Sequence, residues 1–265
     1  MERFVTTAPI ALTIAGSDSG GGAGIQADLK TFHRFGVFGT SVITAVTAQN
    51  TLGVTAWTAV DLSLIRSQFD ALASDLRPAA VKSGMLADAG VVHEVADALR
   101  RHGLTPYVLD PVMVATSGDP LLDENAVAAI RSELIPLAAC VTPNLFEAEI
   151  LIGAKVRDVT EMEYAARMLV QDLGASAALV KGGHLAANDL VDVLFDGELY
   201  HYRHPRIETR STHGTGCTLS SAVTAHLALG LELREAIAVA LDYVHRAIAT
   251  APGLGSGHGP LNHWA

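Results

Sequence analysis

Short apolar runs alternate with helix-period patterns along nearly the whole chain, and few folds accommodate that alternation. Ile10–Ala15 reads as a strand, followed by a glycine-rich turn and a helix from about Ile25 to Phe35. Ser41–Thr47 and Val54–Val60 read as strands and Ser63–Ser74 as a helix. Strand Ala79–Ser83 precedes helix Gly90–His102, and strand Tyr107–Asp110 is closed by Pro111. Helix Glu124–Leu134 ends before Pro136; strand Ala139–Thr142 then leads into helix Leu145–Ile152. Helix Thr160–Leu173, strand Ala177–Lys181 and a hairpin of Leu190–Phe195 with Glu198–Tyr202 around Asp196-Gly197 follow. Helices Cys217–Leu229 and Leu233–Ala249 come last. Repeated strand–helix units predict an α/β fold, with a mostly parallel central sheet covered by helices on both faces. No linker or repeat divides the 265 residues, so residues 1–265 read as one domain.

Composition narrows the function classes. A formal net charge of −10 argues against a nucleic-acid partner or an anionic membrane surface. Gly36–Val60 has no charged residue, but its six threonines with Gln49 and Asn50 favour buried strands and turns over a membrane span. The two cysteines, Cys140 and Cys217, make no disulfide framework and suit a reducing compartment. The start of the chain lacks the basic and apolar regions of a signal peptide, which predicts a cytoplasmic protein.

Ligands in such sheets bind beyond the carboxyl ends of the strands. Gly16 to Asp18, Gln49, Met85, Asp110, Asn144 and Lys181 all follow strands. The richest segment is Ser211–Thr218, STHGTGCT, which opens a helix with no Asp, Glu, Lys or Arg before Glu232. Gly214, Thr215 and Gly216 put bare N–H groups at a helix N-terminus, where an anion is held. Thr212 precedes them. Cys217 on the first turn reads either as a small buried hydrophobe or as a thiol whose thiolate the helix dipole favours over the usual pKa of about 8.5. Asn144 and Glu147 fit a helix capping box. With Asp110 they also fit oxygen ligands for a hydrated Mg²⁺ on nucleotide phosphates. Lys181, beside Gly182 and Gly183, is placed to reach a phosphate. Asp28 reads as a solvated acid near a helix start or as a partner for a ligand hydroxyl. Gly22-x-Gly24-x-x-Ala27 fits a dinucleotide fingerprint poorly, because no acid ends the next strand. The chain has no P-loop, no G-x-S-x-G and no zinc-ligand spacing.

Several motifs occur in one order: AGSDSGGGAGIQADLKT (15–31), SVITAVTAQNT (41–51), KSGML (82–86), VLDPVM (108–113), SGDPLL (117–122), TPNLFEA (142–148), VKGGH (180–184) and THGTGCT (212–218). With them the chain resembles the ribokinase-like superfamily, and within it the hydroxymethylpyrimidine/phosphomethylpyrimidine kinases of thiamine biosynthesis. The resemblance implies a three-layer fold and two successive ATP-dependent phosphorylations. The first acts on the hydroxymethyl of 4-amino-5-hydroxymethyl-2-methylpyrimidine, the second on its monophosphate. It implies that Gln49 reads the aminopyrimidine edge while Gly16, Asp28 and Met85 line the pocket. Asp110 and Glu147 would hold Mg²⁺ through water, with Asn144, Lys181 and Thr212 at the nucleotide. Gly214, Thr215 and Gly216 would form the anion hole, with Cys217 as base where sugar kinases carry an aspartate. A homodimer and a monovalent cation also fit the resemblance. Thr47 is more polar than the aliphatic residue of some relatives, and Ser211 stands where Asn or Asp is common. A pyridoxal or pyridoxine kinase and a non-catalytic vitamer-binding module are the alternatives.

Overall fold

The computed structural model describes residues 8–113, 122–183 and 189–265. The SGDPLL motif, but for Leu122, and His184 lie outside them. One eight-stranded sheet runs through the molecule, in the order β10-β9-β8-β7-β6-β5-β1-β2. Its parallel part comprises β1 (Ile10–Ala15), β2 (Phe38–Ile43), β5 (Ala80–Ser83), β6 (Tyr107–Leu109), β7 (Cys140–Val141) and β8 (Ala178–Val180). The hairpin β9 (Asp189–Phe195) and β10 (Leu199–Pro205) extends it antiparallel. The strand–helix alternation thus yields the parallel sheet it predicts.

Successive strand residues point to opposite faces, and the two faces bury different neighbours. Leu109, Val141, Val180 and Val193 pack in one core with α2 (Leu62–Asp75), α3 (Ala89–His102), α5 (Leu145–Ile152) and α6 (Val159–Gln171). The residues beside them, Val108, Cys140, Leu179 and Leu194, join a second core under α7 (Thr215–Ala228) and α8 (Leu233–Ala249). Ala11, Phe32 and Val37 seat α1 (Gly24–Arg34) against Ala225 of α7 on that same side. The result is three layers. Cys140 is therefore a core residue, and burial pushes its thiol up to about 12.

The structure departs from the sequence expectation at Ser41–Thr47. The chain leaves the main sheet at Thr44, whose N–H bonds Ala15 O and whose hydroxyl bonds Met85 O. Beyond it, β3 (Ala45–Asn50) pairs with β4 (Gly53–Ala59) as a separate antiparallel ribbon. That ribbon is not buried as expected: Leu52 is 72% and Trp57 50% exposed. A lone two-stranded ribbon has no second layer to cover it, so Val46, Ala48 and Thr55–Ala59 face solvent, while Ala45 and Thr47 turn inward. Helix Glu124–Leu134 also divides, into α4 (Glu124–Ala129) and a wider turn at Ile130–Leu134. Among the described residues, no helix is long and apolar enough to cross a membrane.

Core and ribbon should differ sharply in mutational cost. Phe69→Ala, at 1% exposure in α2, is expected to cost about 3–5 kcal/mol in urea unfolding. Leu52→Ala in the ribbon turn should stay within about 0.5 kcal/mol, since it buries little.

Candidate active site

The carboxyl ends of the parallel strands and the ribbon enclose a cavity of about 770 Å³. Thirteen of the fourteen residues expected at the site line it: Gly16, Thr47, Gln49, Met85, Asp110, Asn144, Glu147, Lys181, Thr212, Gly214, Thr215, Gly216 and Cys217. Asp28 is the exception. It lies fully buried behind the wall, accepting bonds from Thr13 Oγ1 at 2.6 Å, Ser221 Oγ at 2.6 Å and Lys82 Nζ at 3.0 Å. Neither a solvated acid nor a cavity-facing one describes it: three side-chain donors inside the protein occupy its carboxylate.

The end of the cavity at the start of α7 is built by two glycine loops in backbone contact. Gly214 takes φ +81°, and a Cβ there would run into the Gly22 carbonyl. Only glycine allows both the left-handed turn and that approach. Thr215 Oγ1 bonds Thr212 O at 2.8 Å and Thr218 N bonds Gly214 O at 2.8 Å, so α7 begins with its N-terminus at the cavity. A Cβ on Gly216 would stand 3.2 Å from Lys181 Nζ and 3.5 Å from Asp110 Oδ2. The Lys181 ammonium and the Asp110 carboxylate, 3.2 Å apart, therefore sit against that first turn.

Cys217 does not carry the thiolate that its helix position suggests. Burial pushes the thiol up to about 12, and the carboxylates of Asp28 and Asp110 add to the rise. The Lys82 ammonium and a bond from Gly24 N–H oppose it without prevailing. The free protein thus holds a thiol at neutral pH.

The other end is organised by Asp18. Its carboxylate accepts the N–H groups of Gly20, Gly22 and Ala23 and bonds His213 Nε2 at 2.8 Å. Burial raises this acid, but His213 and those N–H groups hold it below the ordinary carboxylate range. Gln49 lies between His213, 3.4 Å from its amide nitrogen, and Thr47 Oγ1, 3.3 Å from its amide oxygen. Thr47 donates to Ser17 O at 2.8 Å, so its hydroxyl serves the loop as well as the pocket. Met85 packs on Gly16, where an added Cβ would sit 3.0 Å from its sulfur, and Trp57 reaches in from the ribbon. A glycine-rich strap closes this side: His258 N bonds Thr51 O, and His213 N bonds Gly259 O.

Sequence reasoning missed Asp18, His213 and Lys82 as individual actors. Lys82 could have been found, because a lysine inside a four-residue buried strand requires a buried partner.

Asn144 and Glu147 do form the capping box, with bonds of 2.9 and 2.7 Å between side chain and backbone in each direction. Glu147 also faces the cavity, and burial, reinforced by Asp110 and opposed by Lys181, lifts its carboxyl to about 7. Among the described residues no group of three or more His, Cys, Asp or Glu could hold a metal by itself. Two hard carboxylates do fit a Mg²⁺ that takes its other ligands from water and phosphate oxygens.

Two outcomes follow from this geometry. Gly214→Ala should lose about 1–3 kcal/mol in urea unfolding through its backbone conformation and the Gly22 contact. Glu147 has a folded value near 7 against about 4.3 unfolded, so the folded state binds its proton more tightly. Its contribution is full below about pH 4.3 and lost as pH rises through about 7. In EDTA, Glu147→Gln should therefore gain stability relative to the wild type between about pH 5 and about pH 8.

A family model described as phosphomethylpyrimidine kinase matches residues 18–262. The hydroxymethylpyrimidine/phosphomethylpyrimidine kinase of Rhizobium meliloti is 54% identical over 259 residues, 96% of this chain and 97% of that one. The crystal structure of phosphomethylpyrimidine kinase from Clostridium difficile 630 superposes with a TM-score of 0.81 at 43% identity, covering 91% of this chain and 99% of that one. An ADP complex of Bacillus subtilis pyridoxal kinase gives 0.91 at 38% identity, covering 97% and 98%. With its motifs, sheet and cavity in place, the chain belongs to the phosphomethylpyrimidine kinase family.

Proposed function

We infer that this protein phosphorylates 4-amino-5-hydroxymethyl-2-methylpyrimidine with ATP and then phosphorylates the monophosphate to the diphosphate, in thiamine biosynthesis. The observation that carries this reading is one cavity with an amide at one end and a helix N-terminus with a lysine at the other. An amide offers a donor and an acceptor together, which matches an aminopyrimidine edge. Gln49 reads that edge, held by Thr47 and His213, with Gly16 and Met85 against the ring. Thr212 and Asn144 lie at the nucleotide. Lys181 and the N–H groups of Gly214, Thr215 and Gly216 hold charge on the phosphoryl group as it moves. Asp110 and Glu147 would hold Mg²⁺ through water, and the chemistry it would supply there is neutralisation of phosphate charge. The resemblance supports a cytoplasmic homodimer.

In the first step the substrate hydroxyl oxygen bonds the γ-phosphorus as the bridging P–O bond breaks, ADP leaves, and the hydroxyl proton passes to Cys217. Only the thiolate accepts a proton, and burial makes it scarce at neutral pH. The first-step rate should therefore climb with pH into the alkaline range. A phosphate monoester is already anionic, so the second step needs no such acceptor.

Coupled ADP release should be measured with the pyrimidine alcohol, its monophosphate and pyridoxal. Turnover of the first two above pyridoxal is the expected pattern; preference for pyridoxal would replace this reading with the vitamer-kinase one. Cys217→Ala should slow the first step more than the second, and equal losses would remove the base role. Gln49→Leu should cost about 1–3 kcal/mol in pyrimidine binding, read as a raised KM.

A further inference from the structure

Lys82 carries a charge where a parallel sheet is driest. It is fully buried on β5, in register with Thr13 of β1. A buried ion pair is expensive, and an apolar pair of similar volume serves stability as well or better. A purely structural site therefore gives little reason for a lysine here. Its direction is informative. Gly84, two residues on and on the same face, would place a Cβ only 3.3 Å from Lys82 Nζ. The ammonium is thus drawn along the strand toward its carboxyl end, where Met85 already faces the cavity. Asp28 of α1 holds it there through both carboxylate oxygens, at 3.1 and 3.0 Å. Ser221 Oγ donates to that carboxylate at 2.6 Å. Ser221 lies one helical turn after Cys217 on α7, so the pair is fastened beneath the thiol.

We propose that Asp28 and Lys82 are positioning residues for Cys217, with the Lys82 ammonium as the counter-charge that lets a thiolate form there and Asp28 as the restraint on its strength. The charged groups acting on the thiol come from four elements. Lys82 approaches from β5, Asp28 from α1, Asp110 from the end of β6, and Lys181 from the end of β8. Lys82 lowers the thiol, whereas Asp28 and Asp110 raise it. Burial pulls the Lys82 ammonium down, and Asp28, Cys217 and Asp110 more than restore it, so it stays charged. Removing the cation, or removing the acid from beside a cation that stays charged, should therefore move Cys217 in opposite directions. A merely structural pair would move it the same way.

This inference rests on the kinase reading for the purpose of the thiolate. Its test does not need turnover. Alkylation by iodoacetamide consumes the thiolate, forming an S–C bond as iodide leaves. The rate is followed against pH on the full chain, with mass mapping to separate Cys217 from the core cysteine Cys140. Lys82→Met should slow alkylation of Cys217 about ten-fold or more at about pH 9, one pK unit being ten-fold in thiolate. Lys82→Arg should keep most of the wild-type profile. Asp28→Asn added to Lys82→Arg, whose guanidinium stays charged without the acid, should speed alkylation. Slowing in both Lys82→Met and the double variant, or no change in either, overturns the proposal. Should Lys82→Met not fold by circular dichroism, the double variant decides: faster alkylation than in Lys82→Arg supports the counter-charge, and unchanged or slower alkylation refutes it. Opposite signs in alkylation together with no turnover of the pyrimidine alcohol would sink the functional reading and leave this one standing.

Discussion

The first two turns of α7 rest on two buried acids, and the cavity depends on that seating. Ser220 Oγ reaches Asp110 Oδ2 at 3.3 Å, and Ser221 Oγ reaches Asp28 Oδ1 at 2.6 Å. Each acid also holds a lysine from the sheet, Lys181 and Lys82 respectively. Two neighbouring serines thus register α7 against one acid at the end of β6 and one on α1. Displacement of α7 would break charge-assisted bonds to two buried acids. The helix N-terminus is fixed for the same reason, and preorganised donors stabilise charge without reorganising when it arrives.

This seating has an electrostatic price, visible at Cys217. A helix N-terminus alone lowers a thiol, but here burial raises it first, and the acids that hold the helix add to the rise. The carboxylates that hold α7 in place thus also make its thiol less ready to ionise. Glu147 shows a similar tension, since its role in the cap of α5 puts it in a dry place beside Asp110.

Much of this was legible in the sequence, for identifiable reasons. Strands with apolar residues on both faces, such as Ile10–Ala15, and helices with strong punctuation, such as Leu145–Ile152 between Asn144 and Gly153, fall where local chemistry predicts. The cavity residues were legible because strand ends converge and the loops there carry polar residues and glycines. Thr44 was not, because a strand that changes sheets keeps its local pattern while its partners change. Asp28 was not, because its partners at Thr13, Lys82 and Ser221 are distant in sequence and no periodicity connects them. The rise of the Cys217 thiol was not, because a helix start is a local feature, whereas the burial and the acids that raise it arrive through the tertiary fold.

The glycine strap bears on time as well as geometry. Gly257 N bonds Thr51 Oγ1 across 206 residues of sequence, and His213 N waits for Gly259 O. Synthesis proceeds from the N-terminus, so the glycine loop and ribbon exist long before the segment that closes over them. A nascent chain can build its sheet first, but His213 gains its partner Gly259 only when that residue emerges. The cavity wall at the start of α7 is thereby finished by a segment made after every strand of the sheet.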